Sequence, residues 1–474
     1  MLFNSLTFLA FFALVLGLHR LPIAWRAKKF NLLVASYIFY SAWNPVFLPL
    51  LMATTVLDWA AGSLIYKAKT PTSKRAYLII SLVGNLGMLS FFKYGEFFLE
   101  NFTRLVQGFG IHYAPPQWSL LLPLGISFYT FHSLSYVLDL YRGKAKPVES
   151  FLDYALFVTF FPTLVAGPIL RVHQFAPQLV KPKAATGEQF SRGIGLLVLG
   201  LFEKCVLADG VFAPVVNAVY DSHQVPDFFS AWSAPILFGS QIFCDFAGYS
   251  TCAVGTGLCF GFLIPNNFRN PFAAVGFFDL WSRWHISLST WMRDYVFLSM
   301  RGSLRRGTRA SFNLFFTMAI VGLWHGASWT FVVWGSLQGG LLILEQYLRR
   351  WWGNLAFLNT LPGQLGLALL TSLVARLTNV FFRAGSLSEA CRIFKGLTGA
   401  AGEGALFSVD RLDAGVAWGV AAAIFAWQWW NRDEPAQKPH PNFGWGAQVV
   451  GVSVMLVLII IASGEDNAFI YFQF

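Results

Sequence analysis

The chain has 474 residues, of which 56% are hydrophobic and only 12% charged. A soluble domain carries about 25% charged residues, so roughly half the usual solvating charge is missing and an ordinary soluble enzyme is excluded. The net charge of +11 sits in short basic clusters between apolar runs, a pattern that suits loops facing anionic lipid headgroups and argues against nucleic acid as a partner.

Long apolar runs recur from end to end, which predicts an all-α polytopic membrane protein with residues 1–474 as a single integral-membrane domain. Residues 1–20, "MLFNSLTFLAFFALVLGLHR", lack a basic leader and a small-residue cleavage site, and are expected to form a retained first helix. Basic loops follow at Arg20, Arg26, Lys28 and Lys29 and again at residues 67–75. The apolar stretch between them is interrupted by "WNP" at residues 43–45, which predicts two passes and puts both loops on the cytoplasmic side.

Residues 77–92 lead outward, and residues 120–141 return to the basic "RGKAKP". Glycine and proline then interrupt the apolar runs "FFPTLVAGPILR" (160–171) and "GFLIPNNFRNPF" (261–272). Such backbone persists at membrane depth only when buried in protein or lining a cavity, so both are candidate re-entrant segments. Further spans are expected within 190–207, 228–259, 312–348, 357–382, 416–430 and 443–461, for a total of about eleven passes. Cys244, Cys252 and Cys259 recur at near-helical spacing but lack the tight pairs of a zinc site. They read as small buried hydrophobes, with no metal expected.

Two histidines stand out. Over residues 277–297, "FFDLWSRWHISLSTWMRDYVF", a continuous helix would place Leu280, Trp281, Trp284, Leu288, Trp291, Met292 and Tyr295 on one face. Asp279, Ser282, Arg283, Ser289, Arg293 and Asp294 would lie opposite, which predicts an interfacial amphipathic helix with His285 at its seam. The loop after it carries Arg301, Arg305, Arg306 and Arg309. These read as a cytoplasmic anchor and, beyond that, as an electropositive mouth for a phosphorylated donor.

His325 follows Arg309 by about sixteen residues, at most roughly 24 Å of helix, inside the apolar "FFTMAIVGLWHGASWTFVVW". Gly322 and Gly326 flank it in a pattern that permits close approach of another helix. An ionisable ring at such depth is costly unless it faces a polar cavity, and burial favours its neutral, proton-accepting form. Asp245, Tyr249, Asn267 and Arg269 are polar groups in or beside apolar or broken segments, and Ser289 and Trp324 adjoin the two histidines. All six are candidates for cavity lining, with a satisfied structural network as the competing reading for the first four.

At these residues the sequence resembles the membrane-bound O-acyltransferases. The resembling blocks include "LPLGISFYTFHSLSYVLDLYRG" from Leu122, "QIFCDFAGYSTCAVGTG" from Gln241, "PNNFRNPF" from Pro265, "DLWSRWHISLSTWMRDYVF" from Asp279, "GLWHGASWTFVVWGSLQG" from Gly322 and "VFFRAGS" from Val380. The resemblance implies helices around a central cavity, with a family core over roughly residues 120–385. It implies that His325 is the catalytic histidine, and that His285 occupies a second motif position, histidine in this bacterial branch and often asparagine elsewhere. On this view His325 acts as base and His285 as a donor or orienting partner. An acyl thioester such as acetyl-CoA is the donor substrate, with no bound cofactor. The resemblance further implies the bacterial inner membrane, an exported polysaccharide (alginate first) as final acceptor, and periplasmic acetyltransferases as partners. Peptidoglycan, cellulose and D-alanyl transfer to teichoic acid are the alternatives within the family. A transporter of an acyl donor is the alternative from a different class.

Overall fold

The computed structural model describes residues 1–115, 121–222, 224–300, 308–352, 355–400, 409–434, 445–462 and 469. Among the described residues every regular element is a helix. Three of these helices, Pro45–Lys67, Pro71–Gly108 and Leu361–Arg383, are long and apolar enough to cross a membrane. The chain forms two compact units, residues 1–194 with 253–265, and residues 195–252 with 266–474.

In the first unit the expected break after the second helix is present. The Trp25–Ser41 helix stops at Ala42, and the Asn44 side chain accepts from the Val46 amide at 3.0 Å to open the next helix at Pro45. Polarity then runs opposite to that of a soluble protein. On the Pro71–Leu89 helix Ser81 and Asn85 are fully buried, whereas Ile80 is 52% and Val83 65% exposed. The inward residues converge on the fully buried Asp58, which accepts from the Ser81 hydroxyl and from Asn85 Nδ2 at 2.8 and 2.9 Å. Apolar side chains outward and mutually hydrogen-bonded polar groups inward are what a lipid solvent selects. Gly62 permits the close packing of this layer, because a Cβ there would lie 2.5 Å from the Tyr136 ring. The interrupted stretch after Phe160 is a single short helix, Phe161–Leu164, followed by buried irregular backbone through Leu170.

The second unit carries both histidines. Helices Thr308–His325 and Trp329–Trp352 form a hairpin whose closeness is set by glycine. A Cβ on Gly322 would meet the Phe331 carbonyl oxygen at 2.2 Å, and one on Gly335 the Met318 carbonyl oxygen at 2.4 Å. The close helix approach expected at Gly322 and Gly326 is therefore present.

The single amphipathic helix expected over 277–297 is not formed. The segment divides into helices Phe277–Arg283 and Ile286–Met292 and a π-helical turn, Arg293–Phe297. At the division His285 adopts a left-handed backbone, φ 43° and ψ 53°. The cause is pairing with the segment before it in sequence: the Ile286 amide donates to the Asn267 carbonyl and the Arg269 amide to the Arg283 carbonyl, each at 2.9 Å. Arg283, assigned to the polar face, is 5% exposed, because its Nε donates to Asp279 at 2.7 Å and its Nη1 to the Arg432 carbonyl at 2.9 Å.

Candidate active site

His325 is the last residue of its helix and is 4% exposed. Its ring lies against Trp324, Trp334 and Phe382, with centroid distances of 5.0, 5.2 and 5.2 Å. It lines a cavity whose walls are otherwise largely apolar, with Phe272, Trp281, Trp284 and Trp334 among them. The polar part of the wall comes from one face of the Leu361–Arg383 helix, namely Ser372, Arg376 and Asn379, with Gln338 opposite them in sequence on the Trp329–Trp352 helix. The Asn379 amide orientation is fixed, since its Oδ1 accepts from the Trp334 indole Nε1, a pure donor, at 3.1 Å. Gln338 is fixed in the same way. Thr378 Oγ1 donates to the Ala375 carbonyl, so it accepts from Gln338 Nε2 at 2.7 Å.

His285 is fully buried and sits at the break between two short helices, outside the three helices long and apolar enough to cross a membrane. Asn267 Oδ1 holds it from below. That one oxygen receives the Ser287 amide at 3.1 Å, the Ser287 hydroxyl at 2.8 Å and His285 Nδ1 at 3.2 Å. Because a backbone N–H can only donate, the atom it meets must be the amide oxygen, and His285 Nδ1 must carry the proton. The neutral ring therefore has its lone pair on Nε2, the tautomer of a proton acceptor. Burial pushes the His285 pKa from near 6.5 down to about 3, so the ring is neutral at physiological pH.

Trp324 joins the two histidines: its ring lies 5.0 Å from that of His325 and 6.0 Å from that of His285. Phe246 packs edge-on against His285 at 4.6 Å.

The remaining sequence candidates lie outside the cavity wall that His325 shares. Asp245 forms a buried ion pair with Lys204 at 2.6 Å, and the same ammonium reaches Asp209 at 2.9 Å. Tyr249 packs on Phe469 at 4.9 Å, and the Ser289 hydroxyl donates to the Trp284 carbonyl at 3.1 Å. Asn267 acts on His285 as described, Trp324 bridges the histidines, and Arg269 contributes its backbone to the pairing around the break. Arg301, Arg305 and Arg306 lie outside the described residues, and Arg309 is described only as helical backbone. The residues that sequence reading missed are Arg376, Asn379, Gln338 and Trp334. Arg376 had a signal, a lone cation in the apolar "LGLALLTSLVARLTNVFF".

Residues 148–362 match the membrane-bound O-acyltransferase family, MBOAT. The chain is 38% identical over 351 residues to a probable alginate O-acetylase AlgI of Azotobacter vinelandii, covering 74% of this chain and 69% of that protein. It is 34% identical over 397 residues to a peptidoglycan O-acetyltransferase of Helicobacter pylori, covering 78% and 74%. A teichoic acid D-alanyltransferase of Bacillus subtilis is 27% identical over 250 residues, covering 50% and 62%. Identity at this level over more than two thirds of a relative, together with the family match, has one meaning: the chain belongs to the membrane-bound O-acyltransferase family.

Proposed function

We propose that the protein is an O-acetyltransferase of the bacterial inner membrane, crossing it about eleven times, that moves acetyl groups from a cytoplasmic thioester such as acetyl-CoA toward an exported polysaccharide, alginate foremost. The observation that carries this reading is His325 on the wall of an aromatic cavity in a chain similar to alginate and peptidoglycan acetyltransferases. In the proposed step, His325 takes the proton of an acceptor hydroxyl. The hydroxyl oxygen attacks the thioester carbonyl, the C–S bond breaks as the ester C–O bond forms, and the departing thiolate recovers the proton from the imidazolium. An apolar wall keeps water from competing for the acyl group. His285, expected as a donor or orienting partner, spends its ring proton on Asn267 and supports the same step as an orienting partner through Trp324. Periplasmic acetyltransferases are the partner proteins on the route to the polymer, and Arg301, Arg305, Arg306 and Arg309 draw the phosphorylated donor to the cytoplasmic mouth.

Peptidoglycan is the second reading, favoured by the Helicobacter pylori relative. The test compares ester-linked acetate in each exported glycan fraction from cells with wild-type protein, His325→Ala at equal membrane level, or no protein. Acetate lost from the alginate fraction supports the first reading, and loss from peptidoglycan supports the second. Normal acetylation by His325→Ala removes His325 as base and revives transport of an acyl donor.

A further inference from the structure

Arg376 is 6% exposed and lies within the apolar Leu361–Arg383 helix, about two turns before its end, yet no carboxylate lies within 4 Å of it among the described residues. A guanidinium has five N–H donors in a planar fork. Nε donates to Ser372 Oγ at 3.1 Å, and the two hydrogens of Nη1 go to the Ile236 carbonyl and to Ser240 Oγ, the latter at 3.0 Å. The flat face stacks on the Phe272 ring, 4.3 Å from its centroid. Three donors and one face are thus committed, and both hydrogens of Nη2 have no acceptor among the described residues.

Arg376 lines the cavity that His325 lines. A buried cation without a counter-charge is expensive, and neutral oxygens offset that cost only in part. Gly239 completes the arrangement: a Cβ there would lie 2.7 Å from Arg376 Cγ, so glycine is what lets the stem lie flat against the neighbouring helix. The fork is held at Nε and Nη1 with one end left over, on a side chain that lines the cavity.

We infer that Arg376 recognises an anionic oxygen, a carboxylate or a phosphate, on the molecule that enters the His325 cavity. Two hydrogens on one nitrogen suit a charged oxygen, and the aromatic wall excludes the water that would screen it. The inference deepens the transferase reading, because the anion belongs either to the phosphorylated donor or to an acidic acceptor sugar.

The test is calorimetric binding to the purified full-length protein in detergent. The probes are coenzyme A, pantetheine (the same arm without phosphates), oligomannuronate and carboxyl-reduced oligomannuronate. Arg376→Gln should weaken one charged probe about ten- to a hundredfold, the range of a charge-assisted hydrogen bond, and leave its neutral counterpart unchanged. Loss on coenzyme A assigns the anion to the donor, and loss on oligomannuronate assigns it to the acceptor. Arg376→Lys should recover part of the affinity, since the charge returns without the fork. Gly239→Ala, which keeps Arg376 but displaces its stem, should reproduce part of the loss. Equal weakening of charged and neutral probes, unchanged binding by Arg376→Gln, or a wild type that binds neither charged probe would each overturn the inference. Failure of the wild type to cleave an acetyl thioester would instead sink the transferase reading and leave the binding comparison intact.

Discussion

Asn267 and His285, eighteen positions apart, meet through one oxygen: Asn267 Oδ1 accepts from His285 Nδ1 at 3.2 Å while also accepting from the Ser287 amide and hydroxyl. A single side chain thereby sets the tautomer of the buried ring and closes the turn that carries it. Asn267→Leu leaves three buried donors without their acceptor, at about 1–3 kcal/mol for each group not rescued. The expected outcome is a lower melting temperature and a large fall in acyl transfer. Asn267→Asp retains an acceptor oxygen and should keep more of the activity than the leucine variant; the reverse order would show that the tautomer is not what matters.

The depressed pKa of His285 makes a prediction about pH. The folded ring stays neutral down to about 3, whereas the unfolded ring takes a proton near 6.5. Between those values the unfolded state binds more protons, so the contribution is fully present above about pH 6.5 and is lost as pH falls. The limiting slope is about 1.4 kcal/mol per pH unit. Denaturation of wild type and His285→Asn at pH 7.5 and pH 5 measures it. The wild type should lose more stability on acidification, by close to one proton's worth, and parallel curves would contradict the burial of a neutral ring.

Removing His325 should be costly to rate and cheap to the fold. His325→Gln is expected to lower transfer by about 10²- to 10⁴-fold, the usual worth of a positioned acid–base group. Its melting temperature should change little, since the ring's contacts are mainly aromatic packing. Stopped acyl transfer in a folded variant, followed by thioester cleavage, checks it.

Gly322 should tolerate nothing larger. Gly322→Ala drives a methyl into the Phe331 carbonyl, a rigid backbone atom at 2.2 Å, and should cost about 1–3 kcal/mol or more while displacing His325 three residues on. Gly17→Ala is the control: no atom lies within 4 Å of its added methyl, and replacing glycine within a helix should change stability by less than about 1 kcal/mol, in the favourable direction.

Lys204 and Asp245 should behave as a pair. Lys204→Met leaves two carboxylates facing each other's former cation, and breaking such a buried pair costs about 3–5 kcal/mol. Adding Asp245→Leu should restore much of the loss. A double variant no more stable than Lys204→Met would assign Asp245 a role beyond the ion pair.

What sequence reading captured was local. The break at Asn44 and Pro45 is written in the two residues that make it, and the helix approach at Gly322 follows from glycine spacing within one segment. What it missed depends on partners distant in the chain. Residues 277–297 have the periodicity of a single helix, and only the hydrogen bonds from 267–269 divide them at His285. Asp245 stood between a structural network and cavity lining because its cation, Lys204, lies forty-one positions earlier. The polar wall of the cavity was hidden for the same reason: Arg376 declares a cost in its own span but not the site where that cost is used.

The left-handed backbone at His285 also limits what evolution can do there. At φ 43° most L-residues clash with their own backbone, and histidine, asparagine and aspartate are the side chains that reach this region several-fold more often than the rest. A lineage could therefore exchange histidine for asparagine at this position without rebuilding the turn, whereas a β-branched residue would have to distort it. Inheritance at this site acts first on the shape of the main chain, and the chemistry of the ring is selected from the short set of residues that the shape admits.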